Sequence, residues 1–231
     1  MTKSWEEHLT QPVGTPIPHL ATRFGADGRF LPEHGNTIVA QVIPGSQTEA
    51  ALTALRAGLM ALPYAHHFAF TAIPSYHMTV FEGVTETRRL ADFWPSGLDP
   101  QSDIATVTTQ MMQRLVGFAA PPPLRVAAVA VTPSGLVLDG ARSQDSAILR
   151  DWRDALSASL GLRAPNHDQY RFHTTLAYLR EWLPPEAVPP YRIAMARLMT
   201  GFSAKVPVLD LERPAFCTFN DMNAFPAILP L

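Results

Sequence analysis

Two short segments carry residue types that could act on a phosphate. They are Tyr76-His77-Met78-Thr79-Val80-Phe81 and Phe172-His173-Thr174-Thr175-Leu176-Ala177, each of the form apolar-His-x-Thr-apolar. In an extended strand alternate side chains share a face, so His77 and Thr79 point one way together, and His173 and Thr175 do the same. Positions i and i+2 lie roughly 6.5–7 Å apart along a strand, which lets an imidazole and a hydroxyl reach different oxygens of one phosphate. Breaking a phosphodiester takes a base for the attacking oxygen and an acid for the leaving oxygen. Histidine fills either role, because its reference pKa is about 6.5. Threonine hydroxyls donate to the non-bridging oxygens, where charge grows in the transition state. One His-x-Thr alone carries little information, and a core histidine bonded to backbone explains it as well. Two apolar-flanked copies, one in each half of the chain, make coincidence a poor account.

Around these four catalytic candidates stand four for substrate binding. Arg171, two before His173, is aimed into the same cleft by an extended strand and can hold a phosphate there by charge-assisted bonds; a surface ion pair, for instance with Asp168, is the competing reading. Ser75 and Phe81 fall on the His77 face, where Phe81 can stack on a base or belong to the core. Tyr64 lies just ahead of the first motif. His66 and His67 follow it, but neighbours in a strand face opposite ways, so a metal site from that pair is not expected. There is no Cys/His cluster, no His-Glu-x-x-His helix, no phosphate loop, no G-x-G-x-x-G and no G-x-S-x-G elbow. Neither metal nor cofactor is called for.

The elements that must position these residues follow from periodicity. Residues 37–43, 68–72, 76–84, 124–131, 135–138, 172–179, 206–211 and 215–219 read as strands, from β-branched content or a short apolar run. Helices are expected over 47–62, with Leu52, Leu55, Leu59 and Leu62 in a stripe, over 103–118, and over 143–160 with Gly161 as its stop. Residues 189–200 make a last helix. The stretch 23–30 reads as a hairpin turning at Asp27-Gly28. Several strands are joined by links too short for a parallel crossover, so the fold class is α+β with antiparallel sheets. Residues 1–35 read as an N-terminal extension that patches a sheet edge or folds over the cleft as a lid, with Phe24, Phe30, His34 and Asn36 at hand. Residues 36–231 form the main domain.

With 47% hydrophobic and 16% charged residues in 231, the chain has ample material for a core. A net charge of −2 disfavours a long nucleic acid, whose phosphates draw a basic surplus, and suits a small phosphorylated substrate or one RNA end. Apolar runs fall short of the ~20 residues of a membrane span. The first residues lack the pattern of a secretory signal, and Cys217 has no partner for an internal disulfide. A cytoplasmic monomer is the expectation.

The paired motifs resemble those of the 2H phosphoesterase superfamily, which includes the bacterial 2′,5′-RNA ligase-like cyclic phosphodiesterases. The N-terminal 35 residues and the stretch 166–171 look like a bacterial branch known mainly as an uncharacterised domain. The resemblance covers roughly residues 36–220. It implies two pseudo-symmetric lobes, each an antiparallel sheet backed by helices, with His77, Thr79, His173 and Thr175 converging in the cleft between them. The second motif departs from the usual pattern at Thr174, where an apolar residue is more common; Thr174 faces away from the site. The function implied is metal-independent hydrolysis, or reversible formation, of a cyclic or 2′,5′-linked nucleotide phosphodiester. The competing function is a cleft that binds a phosphorylated small molecule or RNA end without turnover.

Overall fold

The structure is a computed structural model and describes residues 5–12 and 14–231. In chain order its helices and strands are α1 (Trp5–Leu9), β1 (Gly35–Gln41), α2 (Gln47–Met60), β2 (Phe68–Phe70), β3 (His77–Thr85), α3 (Ile104–Arg114), β4 (Val126–Thr132), β5 (Gly135–Gly140), α4 (Ser143–Leu160), β6 (His173–Thr175), β7 (Ala177–Leu179), α5 (Val188–Lys205), β8 (Ala215–Phe219) and β9 (Ala227–Pro230). Two sheets dominate. One has the order β3-β1-β8-β9 and the other β4-β5-β6, every pairing antiparallel. Only Leu176 separates β6 from β7, which pairs with β2 in a short antiparallel ribbon. The α+β expectation holds.

Helix ends are set by local chemistry. The Ser46 hydroxyl accepts from the Glu49 amide at the start of α2, and the Asp103 carboxylate accepts from the Thr106 amide at the start of α3. Gly161, at φ +64°, takes the left-handed conformation that ends α4 where the sequence places its stop. Leu149, Trp152, Leu156 and Leu160 form the buried stripe of α4, which packs against β5 and β3. Ile38, Met78 and Phe216 of the first sheet belong to the same hydrophobic cluster as Leu136 and Trp152, so a single core runs beneath both sheets.

Four expectations need correction. The strand expected over 206–211 reduces to one bridge between Val42 and Leu211, for Pro207 cannot donate to a ladder. The hairpin over 23–30 is likewise a single bridge, Phe24 to Phe30. The strand expected over 172–179 is two short strands, His173–Thr175 and Ala177–Leu179, broken at Leu176. His66 and His67 sit in a 3-10 turn instead of a strand, with ring centroids 4.5 Å apart. Among the described residues no helix is long and apolar enough to cross a membrane.

Candidate functional site

β3 packs against β6, and this contact brings the two motifs together. His77, Thr79, His173 and Thr175 all line one cleft of about 120 Å³. Each histidine is anchored in the same way. The Nδ1 of His77 donates to the Ser75 carbonyl, 2.7 Å away, and the Nδ1 of His173 donates to the Arg171 carbonyl, 2.9 Å away. A carbonyl only accepts, so the proton of each neutral ring sits on Nδ1 and Nε2 keeps its lone pair. Two tethers of identical span thus leave both Nε2 atoms available for proton transfer.

The two rings differ in surroundings. His173 is exposed, with the Tyr170 ring 6.1 Å away. His77 is half-buried, with the Phe225 ring 4.2 Å from its own. The His77 pKa is pushed down to about 4, chiefly by desolvation; the bond to the Ser75 carbonyl opposes the shift in part, and charge on His173 adds to it.

Other side chains complete the walls. Asn36 on β1 is buried; its amide nitrogen donates to the Thr108 hydroxyl and its oxygen accepts from the Val84 amide. Arg23 enters from the N-terminal segment, bonded to Glu33 at 2.8 Å and lying 5.6 Å from the centre of the Tyr178 ring. Burial pushes the Glu33 carboxyl up, but the Arg23 bond and charge and the Thr87 hydroxyl outweigh it and hold the group below the usual range. Tyr170 and Tyr178 flank the motif strand and both line the cleft, with burial pushing up both phenols. The Tyr170 hydroxyl is buried without a hydrogen bond of ordinary geometry, although Thr79 is close enough to act on it.

The substrate-binding candidates fare differently. Phe81 is 2% exposed and lies in the core between Arg153 and His167, so it is not on the cleft face. The cause is a β-bulge: Val39 pairs with Thr79 but Ile38 pairs with Phe81, so Val80 is an extra residue. The alternation shifts by one there, and Glu82 replaces Phe81 on the cleft wall. Ser75 is buried, with its hydroxyl bonded to the Ala72 carbonyl, and serves the site through its own carbonyl. Arg171 lines a neighbouring cavity and stands outside the paired residues of β6. Tyr64, at φ +63°, packs its ring against His66 and His67 and is not part of the cleft wall. Thr174 is buried away from the cleft, as alternation expects, with an unpartnered hydroxyl.

Asp154, His167 and Asp168 have metal-ligand spacing, but Arg163 already donates to both carboxylates and His167 bonds to Asp154 at 2.9 Å. That cluster is a closed ion-pair network. Sequence reading missed Tyr170, Tyr178, Arg23 and Glu82, and named Asn36 only as part of the N-terminal segment that could fold over the cleft. Proximity to the second motif points to the two tyrosines, but nothing local points to Arg23.

Residues 23–137 match the family described as 2H-phosphodiest, a domain of unknown function (DUF1868). The chain belongs to this 2H phosphoesterase family. A crystal structure of a conserved protein of unknown function from Agrobacterium tumefaciens is 36% identical and superimposes with a TM-score of 0.95, over 99% of each chain. No curated protein matches the chain.

Proposed function

We propose that the protein is a metal-independent phosphodiesterase that acts on a cyclic or 2′,5′-linked nucleotide phosphodiester by acid–base catalysis between His77 and His173. The observation that carries this reading is the matched pair of backbone tethers, which leave both Nε2 atoms free in one cleft. Their repetition in two sheets also supports a pseudo-symmetric site.

The unlike surroundings of the rings divide the labour. With its pKa near 4, His77 is neutral at physiological pH and is the base. Its Nε2 takes a proton from water as the water oxygen bonds to phosphorus. His173, protonated at both nitrogens, gives its Nε2 proton to the leaving oxygen as the old P–O bond breaks. The Thr79, Thr175 and Tyr170 hydroxyls donate to the non-bridging oxygens. With an alcohol in place of water the same pair works in the ligase direction: His77 takes the alcohol's proton as its oxygen bonds to phosphorus, and His173 gives a proton to the ring oxygen as the cyclic P–O bond breaks.

The test is turnover of 2′,3′-cyclic nucleotides and 2′,5′-linked dinucleotides in the presence of EDTA, with His77→Ala and His173→Ala beside the wild type. Each variant is expected to lose about 10²–10⁴-fold in kcat. Folded wild-type protein that binds these nucleotides but converts none would overturn the catalytic reading in favour of a binding module.

A further inference from the structure

Beside the cleft lies a larger cavity of about 480 Å³, with Tyr170 in the walls of both. Arg171, whose carbonyl holds His173, turns its side chain to this second space. Arg150 on α4 lines it too. Among the described residues neither guanidinium has a hydrogen bond or ion pair.

Behind them, Arg153 is only 4% exposed. Its Nη1 donates to the Val80 carbonyl at 2.8 Å, and its guanidinium carbon lies 3.8 Å from the centre of the Tyr170 ring. Its Nε is buried with no partner, and no carboxylate reaches it within ion-pair distance among the described residues. A buried cation without an answering anion is unfavourable in an empty site and becomes favourable when an anion arrives. Three carboxylates share the same walls. Arg163 holds Asp154 and Asp168, and Asp139 accepts from the Gly140 amide. With Arg163 counted in, four guanidiniums, those of Arg150, Arg153, Arg163 and Arg171, face the three carboxylates of Asp139, Asp154 and Asp168, a surplus of one positive charge in a space of the size that takes a nucleotide.

We propose that this cavity is a second-anion subsite, and that the substrate is a nucleotide phosphodiester bearing a further phosphoryl group, as at an oligonucleotide end, in preference to a bare cyclic mononucleotide. This rests on the phosphodiesterase reading above. Arg150 and Arg171 grip the second phosphate by charge-assisted bonds, and Arg153 supplies a fixed positive field behind it.

The test compares kcat/KM for adenosine 2′,3′-cyclic phosphate, its 5′-phosphorylated counterpart, and a diadenylate ending in a 2′,3′-cyclic phosphate. The wild type is expected to favour at least one extended substrate by about tenfold, the worth of one charge-assisted bond. Arg150→Ala and Arg171→Ala, shown to be folded by circular dichroism, are expected to bring that ratio towards one, and Arg150→Lys to restore part of it. No preference in the wild type, or a preference intact in the double alanine variant, overturns the subsite. If the wild type turns over none of the three, the phosphodiesterase reading fails separately, and titration with adenosine 3′,5′-bisphosphate decides the subsite. Binding that weakens about fivefold or more in the double variant supports it. No binding, or equal binding, overturns it.

Discussion

The depressed pKa of His77 ties the site to the stability of the whole fold. In the unfolded chain the ring titrates near 6.5, and in the folded protein near 4. Between those values the unfolded state holds a proton that the folded state refuses, so stability falls as pH drops from 6.5 towards 4. Above 6.5 both states are neutral and the effect vanishes. Integrated from about pH 7 to about pH 5, the full shift corresponds to roughly 2 kcal/mol, which solvent around the half-buried ring trims to about 1–2 kcal/mol. Replacing His77 with Gln removes the titration while keeping a polar side chain of similar reach. Urea unfolding of wild type and His77→Gln at both pH values isolates it, because carboxylates such as Glu33 lose their stabilisation alike in both proteins and cancel in the double difference. The wild type is expected to lose about 1–2 kcal/mol more than the variant over that interval. An equal loss in the two proteins refutes the claim that burial keeps His77 neutral, and with it the assignment of His77 as the base.

Three further outcomes follow from the same geometry. Tyr170→Phe deletes a hydroxyl that has no hydrogen bond of ordinary geometry in the folded protein, so the melting temperature is expected to change little while kcat falls about 10-fold or more with KM little changed, as steady-state kinetics will read. Arg23→Ala strands the Glu33 carboxylate, only 2% exposed, and is expected to cost about 3–5 kcal/mol in urea unfolding, with much of that recovered by adding Glu33→Gln. Gly83→Ala drives a Cβ into the side chain and carbonyl of Asn36 between β3 and β1, and thermal melting is expected to report a loss of about 1–3 kcal/mol.

What could be read from the chain was whatever is written locally. The His-x-Thr pairs announce themselves because type and spacing are adjacent in sequence, and α4 is bounded by its own stripe and by Gly161. What escaped depends on partners far along the chain. The bulge at Val80 exists only in the pairing with β1, so alternation read from β3 alone puts Phe81 where Glu82 stands. Arg23 reaches the cleft because Glu33 and Tyr178 hold it there, and no pattern at residue 23 encodes that. β9 was hidden by Pro226 and Pro230, which read as loop although an edge strand tolerates them.

The motifs are near copies, yet a working acid–base pair needs two unlike histidines, one neutral and one charged at the same pH. Repetition supplies the common part: a strand, a carbonyl two residues upstream to hold Nδ1, and a threonine on the same face. The asymmetry has to come from outside the motifs. Here the loop between β8 and β9 lays Phe225 against His77 and leaves His173 exposed. If that loop sets the division of labour, Phe225→Ala should rehydrate His77 and raise its pKa towards 6.5. NMR titration of the ring protons reads this directly, and the acid limb of kcat/KM should move up with it. A His77 pKa that stays near 4 in the variant would place the cause of the asymmetry elsewhere in the cleft wall.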